Sequence, residues 1–400
     1  MLELSQLDRF VASSYGAQQK LAVAIEPVSN FILLEEYAAQ RDAPTWNAAV
    51  KEALQPYSVT VIQCVSDQAT ALISHAETYL GVHHSPDLFH VQQEACRATG
   101  GSLHHQKEKA EKAFQQAEVK HRENQRIFNE FEGNWPWTLQ QLELDKQQRS
   151  LTPSLTENLT HARQELETAQ ARQLRARDAR RGIGQAYHPF DLTTGAPQEA
   201  ADVQIKLEAH FDTLDQIASE AGLSASSLAR LAKARRVLPL MIETMVFFWT
   251  LMTSRASALK YVPEIVEVWR RQLVAGYYLA DVAQRCSNSK ERQRLRELSR
   301  SILEQAKARD GPLSELSEAD VAYLDEQARL AAKLFQRSSS CVEGRNGQLS
   351  LRHHGLREIS ARKLRVLGIL HNFVIQDRDG KTAANGFFWP RTPRAIFMAR

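Results

Sequence analysis

Residues 341–355 read CVEGRNGQLSLRHHG and hold one acid, Glu343, among Arg345, Arg352, His353 and His354. A second acid, Asp67, follows an apolar, β-branched run, VTVIQCV at 59–65. An acid just past a buried parallel strand lies at the carboxyl edge of a sheet, where open α/β sheets bind their ligands. Each acid also has a simpler role. Asp67 could cap the helix that follows it, and Glu343 could be a solvated loop glutamate beside Arg345. Together they have the chemistry of a magnesium site, because Mg²⁺ takes few protein carboxylates and completes its shell with water and phosphate oxygens. Two such ions about 3.5–4 Å apart clamp the attacking and leaving oxygens of a phosphodiester. Basic residues beside the acids would then hold the polyanion that bare carboxylates repel.

The charge distribution fits that chemistry. Residues 337–400 carry 12 Lys and Arg against 4 Asp and Glu, a net +8 within a chain of net +3, which leaves −5 for the rest. Arg345, Arg352, Arg357, Arg362, Lys363 and Arg365 are the phosphate contacts expected from this segment. Such contacts position DNA without reading its sequence. The 400 residues are 43% hydrophobic and 24% charged, the composition of a globular chain of roughly two or three domains. Cys64, Cys96, Cys286 and Cys341 lie far apart and form no CxxC pair, which argues against a zinc ribbon or disulfide scaffold and for a reducing compartment. Adjacent histidines (83–84, 104–105, 353–354) point in different directions and have no cysteine at ligand spacing, so zinc is not expected. MLELSQLDRF has no apolar core and is not a signal peptide. VLPLMIETMVFFWTLMTS (237–254) approaches the length of a membrane span but contains Glu243, and is read as a buried core helix.

The acids must be positioned by the elements around them. Residues 3–17 predict a short amphipathic helix. LAVAIEP (21–27) and FILLEEY (31–37) read as strands joined by a tight turn. A helix at 44–55 opens on Pro44. The strand at 59–65, a helix at 69–80 and another short strand at 83–91 complete an α/β pattern. Beyond Cys96 the strands stop. Residues 103–133 form a long charged helix closed by Trp135-Pro136-Trp137, and 139–181 form another with leucines near heptad spacing. The two predict an antiparallel hairpin of coiled-coil character. A Gly/Pro loop spans 181–197, and helices follow at 200–220, 224–234, 236–257, 262–285, 289–308 and 318–335. A last helix is expected at 359–376. The domains expected are therefore 1–96, carrying the first part of an α/β core; 97–336, an all-α insertion with a hairpin (103–181) and a bundle (198–335); and 337–400, the last part of the core.

VIQCVSDQATALISHAETYLGVHHSPDLFHVQQE, followed far downstream by CVEGRNGQLSLRHHGLREISARKLRVLGILHNFVIQDRDGKTAANGFFW, resembles bacterial insertion-sequence transposases of the DDE type over nearly the whole chain. SPDLFHV, EGRNG…LRHHG and HNF…TAANGFFW carry the likeness most strongly. The resemblance implies a ribonuclease H-like core interrupted by a helical insertion before the last acid. Asp67 would be the second acid and Glu343 the third, with Asp87 and His90 as a supporting D-x-F-H element. Asp67 and Glu343 would hold Mg²⁺ or Mn²⁺, and the substrate would be double-stranded DNA, both element ends and target. A homo-oligomer in the cytoplasm, associated with the nucleoid and with no membrane, would go with it. One departure stands out. The family's first acid lies at the end of the first core strand, but SSYGAQQK ahead of LAVAIEP has none, and Asp8 sits thirteen residues before Leu21 in a helical context. RFVASSY (9–15) could replace the strand but not the acid. The expectation is an incomplete core with impaired or absent DNA cleavage. The alternative is a non-catalytic DNA-binding or oligomerising remnant that regulates an active transposase.

Overall fold

A computed structural model of the chain describes residues 2–7, 20–38, 40, 42–132, 138–356, 359–377 and 380–388. Five strands, β1 (Leu2–Leu7), β2 (Lys20–Glu26), β3 (Phe31–Ala38), β4 (Gln63–Ser66) and β5 (His83–Pro86), form one sheet of order β3-β2-β1-β4-β5. Helix α1 (Ala43–Leu54) separates β3 from β4, and α2 (Thr70–Ser74), continued by a π-helical turn at His75–Leu80, separates β4 from β5. Two long helices follow, α3 (Leu88–Glu132) and α4 (Leu139–Ala186). Then come α5 (Ala200–Glu220), α6 (Ala225–Arg235), α7 (Leu238–Ala258), α8 (Pro263–Val268), α9 (Val274–Arg285), α10 (Ser289–Ala306) and α11 (Glu318–Ala332). The chain closes with α12 (Ser340–Leu356), α13 (Ala361–Phe373) and α14 (Ala383–Phe388).

The N-terminal segment corrects the sequence expectation. Residues 2–7 are not helical but form the central strand. β1 pairs antiparallel with β2, Glu3 opposite Ile25 and Leu7 opposite Leu21, and parallel with β4, Leu2 opposite Cys64. Leu4 and Leu7 sit at helical spacing, so local pattern alone allows either period; partners on both sides decide it. A strand therefore precedes β2 in the sheet, where the sequence suggested a helix. Residues 9–15, weighed as a substitute strand, and Trp135-Pro136-Trp137 lie outside the described residues.

The chain divides into two compact units, Met1–Val91 with Gln185–Ile205 and Val237–Arg400, and Gln92–Gly184 with Lys206–Arg236. This division differs from the three segments expected, because α7 to α11 group with the sheet. In the first unit, alternation along β2 builds two cores. Ala22 and Ala24 join Leu34, Cys64, Trp46 and Val50 of α1, and Leu72. Leu21, Val23 and Ile25, with Ile32, pack instead against Val342 and Leu349 of α12, Ile359, and Leu364 of α13. The last sixty residues thus cover a sheet face made from the first forty.

Both sheet edges are covered. On β5, His83 stacks on Phe247 of α7 at 4.5 Å between ring centroids, and Thr244 Oγ1 lies within hydrogen-bond distance of Ser85 Oγ, at 3.1 Å. Residues 225–258 are apolar enough over enough length to cross a membrane. The stretch is broken at Arg236–Val237, and α7 buries Leu238, Met241, Met245, Phe248 and Met252 along one face. On β3, the HNF segment mimics a further strand. Ile32 N–H donates to Asn372 Oδ1 at 2.9 Å, and Asn372 Nδ2 donates to Ile32 O at 2.8 Å. His371 Nε2 lies 2.8 Å from Asn30 O, and Phe387 of α14 stacks on Phe31 at 4.4 Å.

In the second unit, α3 and α4 run antiparallel, as the contacts step down one helix and up the other. Gln92 Nε2 donates to Arg180 O, Arg163 lies over the Phe114 ring, and Asn124 Nδ2 donates to Thr152 Oγ1. Surface ion pairs (Arg175–Glu220, Arg230–Glu94) decorate it.

Asn372→Ala should lower unfolding stability by about 2 kcal/mol, since it strands a buried donor and acceptor of β3. Denaturant titration reads this directly; an unchanged midpoint would mean that water satisfies Ile32 equally well.

Candidate functional site

Asp67 directly follows β4. Its Oδ1 accepts from Ala69 N–H at 3.0 Å, the short-range bond that lets an aspartate end a strand and open a turn. Behind it, Ser66 Oγ donates to Asp67 O at 3.0 Å and lies 2.8 Å from His84 Nε2. The serine has only one hydrogen to give, so His84 Nε2 is the donor in that contact. Asp87 follows β5, and its N–H donates to Ser66 O at 3.0 Å, which ties the two strand ends together. Asp87 is 2% exposed. Its Oδ1 accepts from Phe89 N–H at 2.8 Å, its Oδ2 from the Ser339 hydroxyl, and His90 Nε2 stands 3.8 Å away.

Glu343 comes to this place from the far end of the sequence. It lies in the first turn of α12, and its N–H donates to Ser339 O at 3.0 Å. The residue keeps an open surface, yet its carboxyl is held above the ordinary glutamate range. Partial loss of water is the main cause, the negative charges of Asp87 and Asp67 add to it, and His90 opposes them. Asp67, Asp87, His90 and Glu343 therefore share one electrostatic neighbourhood.

The four do not have equal freedom. Both Asp87 oxygens are engaged, so Asp87 orients the segment that leads into α12. Among the described residues, Asp67 Oδ2 and both Glu343 oxygens accept no hydrogen bond. Two hard, partly shielded oxygen donors of this kind suit a magnesium ion completed by water. Among the described residues, however, no group of three or more His, Cys, Asp or Glu side chains could hold a metal ion.

α12 corrects two further expectations. The glycine-punctuated segment is helical, and one of its faces is buried: Val342, Arg345, Asn346 and Leu349. Arg345 is not available to a phosphate. It makes a two-pronged ion pair with Glu35 of β3, Nε to Oε1 at 2.6 Å and Nη2 to Oε2 at 2.7 Å, with side chains 7% and 3% exposed. The opposite face presents Glu343, Gly344, Gly347, Gln348, Leu351 and Arg352. A Cβ at Gly344 or Gly347 would meet nothing within 4 Å. Helical glycine costs about 1 kcal/mol relative to alanine, and no packing within the protein requires it here.

Of the other expected phosphate contacts, Arg352 on α12 and Arg362, Lys363 and Arg365 on α13 are exposed, while Arg357 lies outside the described residues. Sequence reasoning missed Ser339 and His84. The run Ser338-Ser339-Ser340 ahead of α12 was the available signal for the first; the second stood out only as half of the His83-His84 pair, read as no zinc ligand.

Arg345→Met should destabilise the protein by about 3–5 kcal/mol, because it leaves Glu35 buried and unpaired. Glu35→Met with Arg345→Met should recover most of that loss in denaturant melts, which a solvent-facing DNA contact would not do. Glu343 gives a pH signature. With its folded pKa raised, the native state binds this proton more tightly, so stability falls as pH rises from the unfolded value of 4.5 through the folded one. Glu343→Gln should therefore melt above the wild type at neutral pH. The gap should close as pH falls below the ordinary glutamate value; a gap independent of pH would reject the shared neighbourhood.

A family of unknown function (DUF6399) matches residues 269–398, from the π-helical turn before α9 through α14. No curated protein and no solved structure matches the chain.

Proposed function

We propose that the chain is a metal-dependent DNA cleavage and strand-transfer protein of the DDE transposase kind, with the sheet and its flanking helices forming a ribonuclease H-like core. The observation that carries this reading is the shared electrostatic neighbourhood of Asp67 and Glu343, acids from opposite ends of the chain, with Asp87 and His90 beside them. The strand order β3-β2-β1-β4-β5 supports it, as do an antiparallel β1–β3 meander and parallel β4 and β5. A central β1 supports the reading further, since it supplies a strand ahead of β2. Asp8, next in sequence after β1, is taken as the first acid; it lies outside the described residues.

Asp67 and Glu343 would hold Mg²⁺ or Mn²⁺, which supplies charge stabilisation to a phosphodiester under attack and acidifies bound water. The chain's own residues do the rest. His84, through Ser66, fixes the backbone from which Asp67 projects. Asp87 and Ser339 fix the start of α12. The two glycines leave that helix open to close approach by a sugar-phosphate backbone. Arg352, Arg362, Lys363 and Arg365 would draw duplex DNA to the face without reading its bases. Self-association and a cytoplasmic, nucleoid location belong to the same proposal.

A non-catalytic DNA-binding relative is the second reading, favoured by the lack of a three-donor metal group among the described residues. One assay separates the two. Supercoiled plasmid incubated with the protein and Mg²⁺ or Mn²⁺ should be nicked, and Asp8→Asn, Asp67→Asn or Glu343→Gln should each lower the rate by about a hundredfold or more. Salt-sensitive DNA binding without nicking would select the second reading. Neither binding nor nicking would reject both.

A further inference from the structure

Between α9 and the segment after α11 lies a cavity of about 210 Å³, lined by Tyr278, Asp281, Arg285, Cys286, Lys333 and Arg337 among others. Three of these side chains are cationic and one is acidic. Burial raises the Asp281 pKa, and the charges of Lys333 and Arg285 oppose that rise. Arg285 and Lys333 form no ion pair within 4.0 Å among the described residues.

A hydrogen-bond chain joins two of the lining residues, Arg337 and Tyr278, through His188. Arg337 Nη1 donates to Tyr187 O at 3.2 Å and lies 2.7 Å from His188 Nε2, and a guanidinium can only donate, so Nε2 is the acceptor. Neutral His188 must then carry its hydrogen on Nδ1, which stands 2.7 Å from Tyr278 Oη. The imidazole donates to the tyrosine oxygen, and this leaves the phenol hydrogen to be given elsewhere. Tyr278 is 4% exposed and lines the cavity, and burial pushes its pKa up to about 12, so the hydrogen is present at neutral pH. The lining thus combines a buried phenol, the cations Arg285 and Lys333, the engaged guanidinium of Arg337 and one competing carboxylate, Asp281.

We propose that this cavity binds a phosphate dianion, either free phosphate or the terminal phosphoryl group of a nucleic acid. Pockets for drug-sized ligands run to about 300–1,000 Å³; this one holds a phosphoryl group with few further atoms. Net positive lining favours a dianion over a monocarboxylate. The cavity also adjoins the acid cluster through the backbone: Arg337 O accepts from Leu88 N–H at 2.8 Å, beside Asp87, and Ser339 binds Asp87 two residues later. An occupant of the cavity therefore sits beside the segment that leads to Glu343.

Calorimetric titration of the full chain with sodium phosphate, at ionic strength matched with sodium chloride, tests the site. Saturable binding is expected, at least tenfold weaker in Arg285→Gln with Lys333→Gln. Both side chains reach the surface, so the double variant should melt like the wild type without phosphate. Tyr278→Phe should weaken binding as well. A 5′-phosphorylated dinucleotide that competes, beside an unphosphorylated one that does not, would identify a nucleic-acid end; competition by inorganic phosphate alone would identify the free ion. Heat no greater than with chloride, or binding unchanged in the double variant, overturns the proposal whatever the result of plasmid nicking.

Discussion

Glu35 and Arg345 form a buried ion pair between β3 and α12, and the aim of the acid cluster depends on it. Taking two charges out of water is costly, and only tight, two-pronged geometry offsets that cost. The pair therefore tolerates little rotation of α12 about its own axis. Glu343 lies two residues before Arg345. At 3.6 residues per turn the two side chains leave the helix roughly 200° apart. With Arg345 turned down onto β3, Glu343 is turned away from it, into the field of Asp67 and Asp87. The cation read in the sequence as a ligand for DNA is instead what sets the helix that carries the acid.

Gathering like charges works against folding, and the cluster shows how that is managed. Asp87 is the most buried acid, and it is fully engaged by a backbone amide and the Ser339 hydroxyl. Glu343 keeps access to solvent, where its charge is cheaper to hold. Its proton affinity is raised chiefly by partial loss of water, and the charges of Asp87 and Asp67 add to it. Arrangements of this kind are destabilised in isolation and relieved when a cation arrives, which is why perturbed acids gather at functional sites.

Much of this was legible in sequence. The apolar runs at 21–27 and 31–37 and the helical spacing from residue 200 onward each found their elements, because local period and burial agree there, whereas the strand expected at 59–65 is only Gln63–Ser66 and leaves its β-branched start outside β4. Two segments misled. LELSQL satisfies helical as well as strand spacing, and only its pairing on both sides makes it β1. CVEGRNGQLS has glycines that weaken any local helix signal, yet Val342, Arg345 and Leu349 bury one face and hold it helical. Arg345 was misassigned for a related reason: its partner Glu35 lies three hundred residues upstream, beyond any window of local pattern. The α/β character and the helical middle are observed.

The cover on β2 and β3 has a consequence for biosynthesis. Leu21, Val23, Ile25 and Ile32 meet Val342, Leu349, Ile359 and Leu364 only after the ribosome has made nearly the whole chain. At about 5–20 residues per second, that apolar face waits on the order of tens of seconds for its partners, while the helices between have time to form on their own. Contacts so distant in sequence slow the closing step. A nascent chain stalled before α12 would present an uncovered sheet, the kind of surface to which holding chaperones bind and from which aggregation starts.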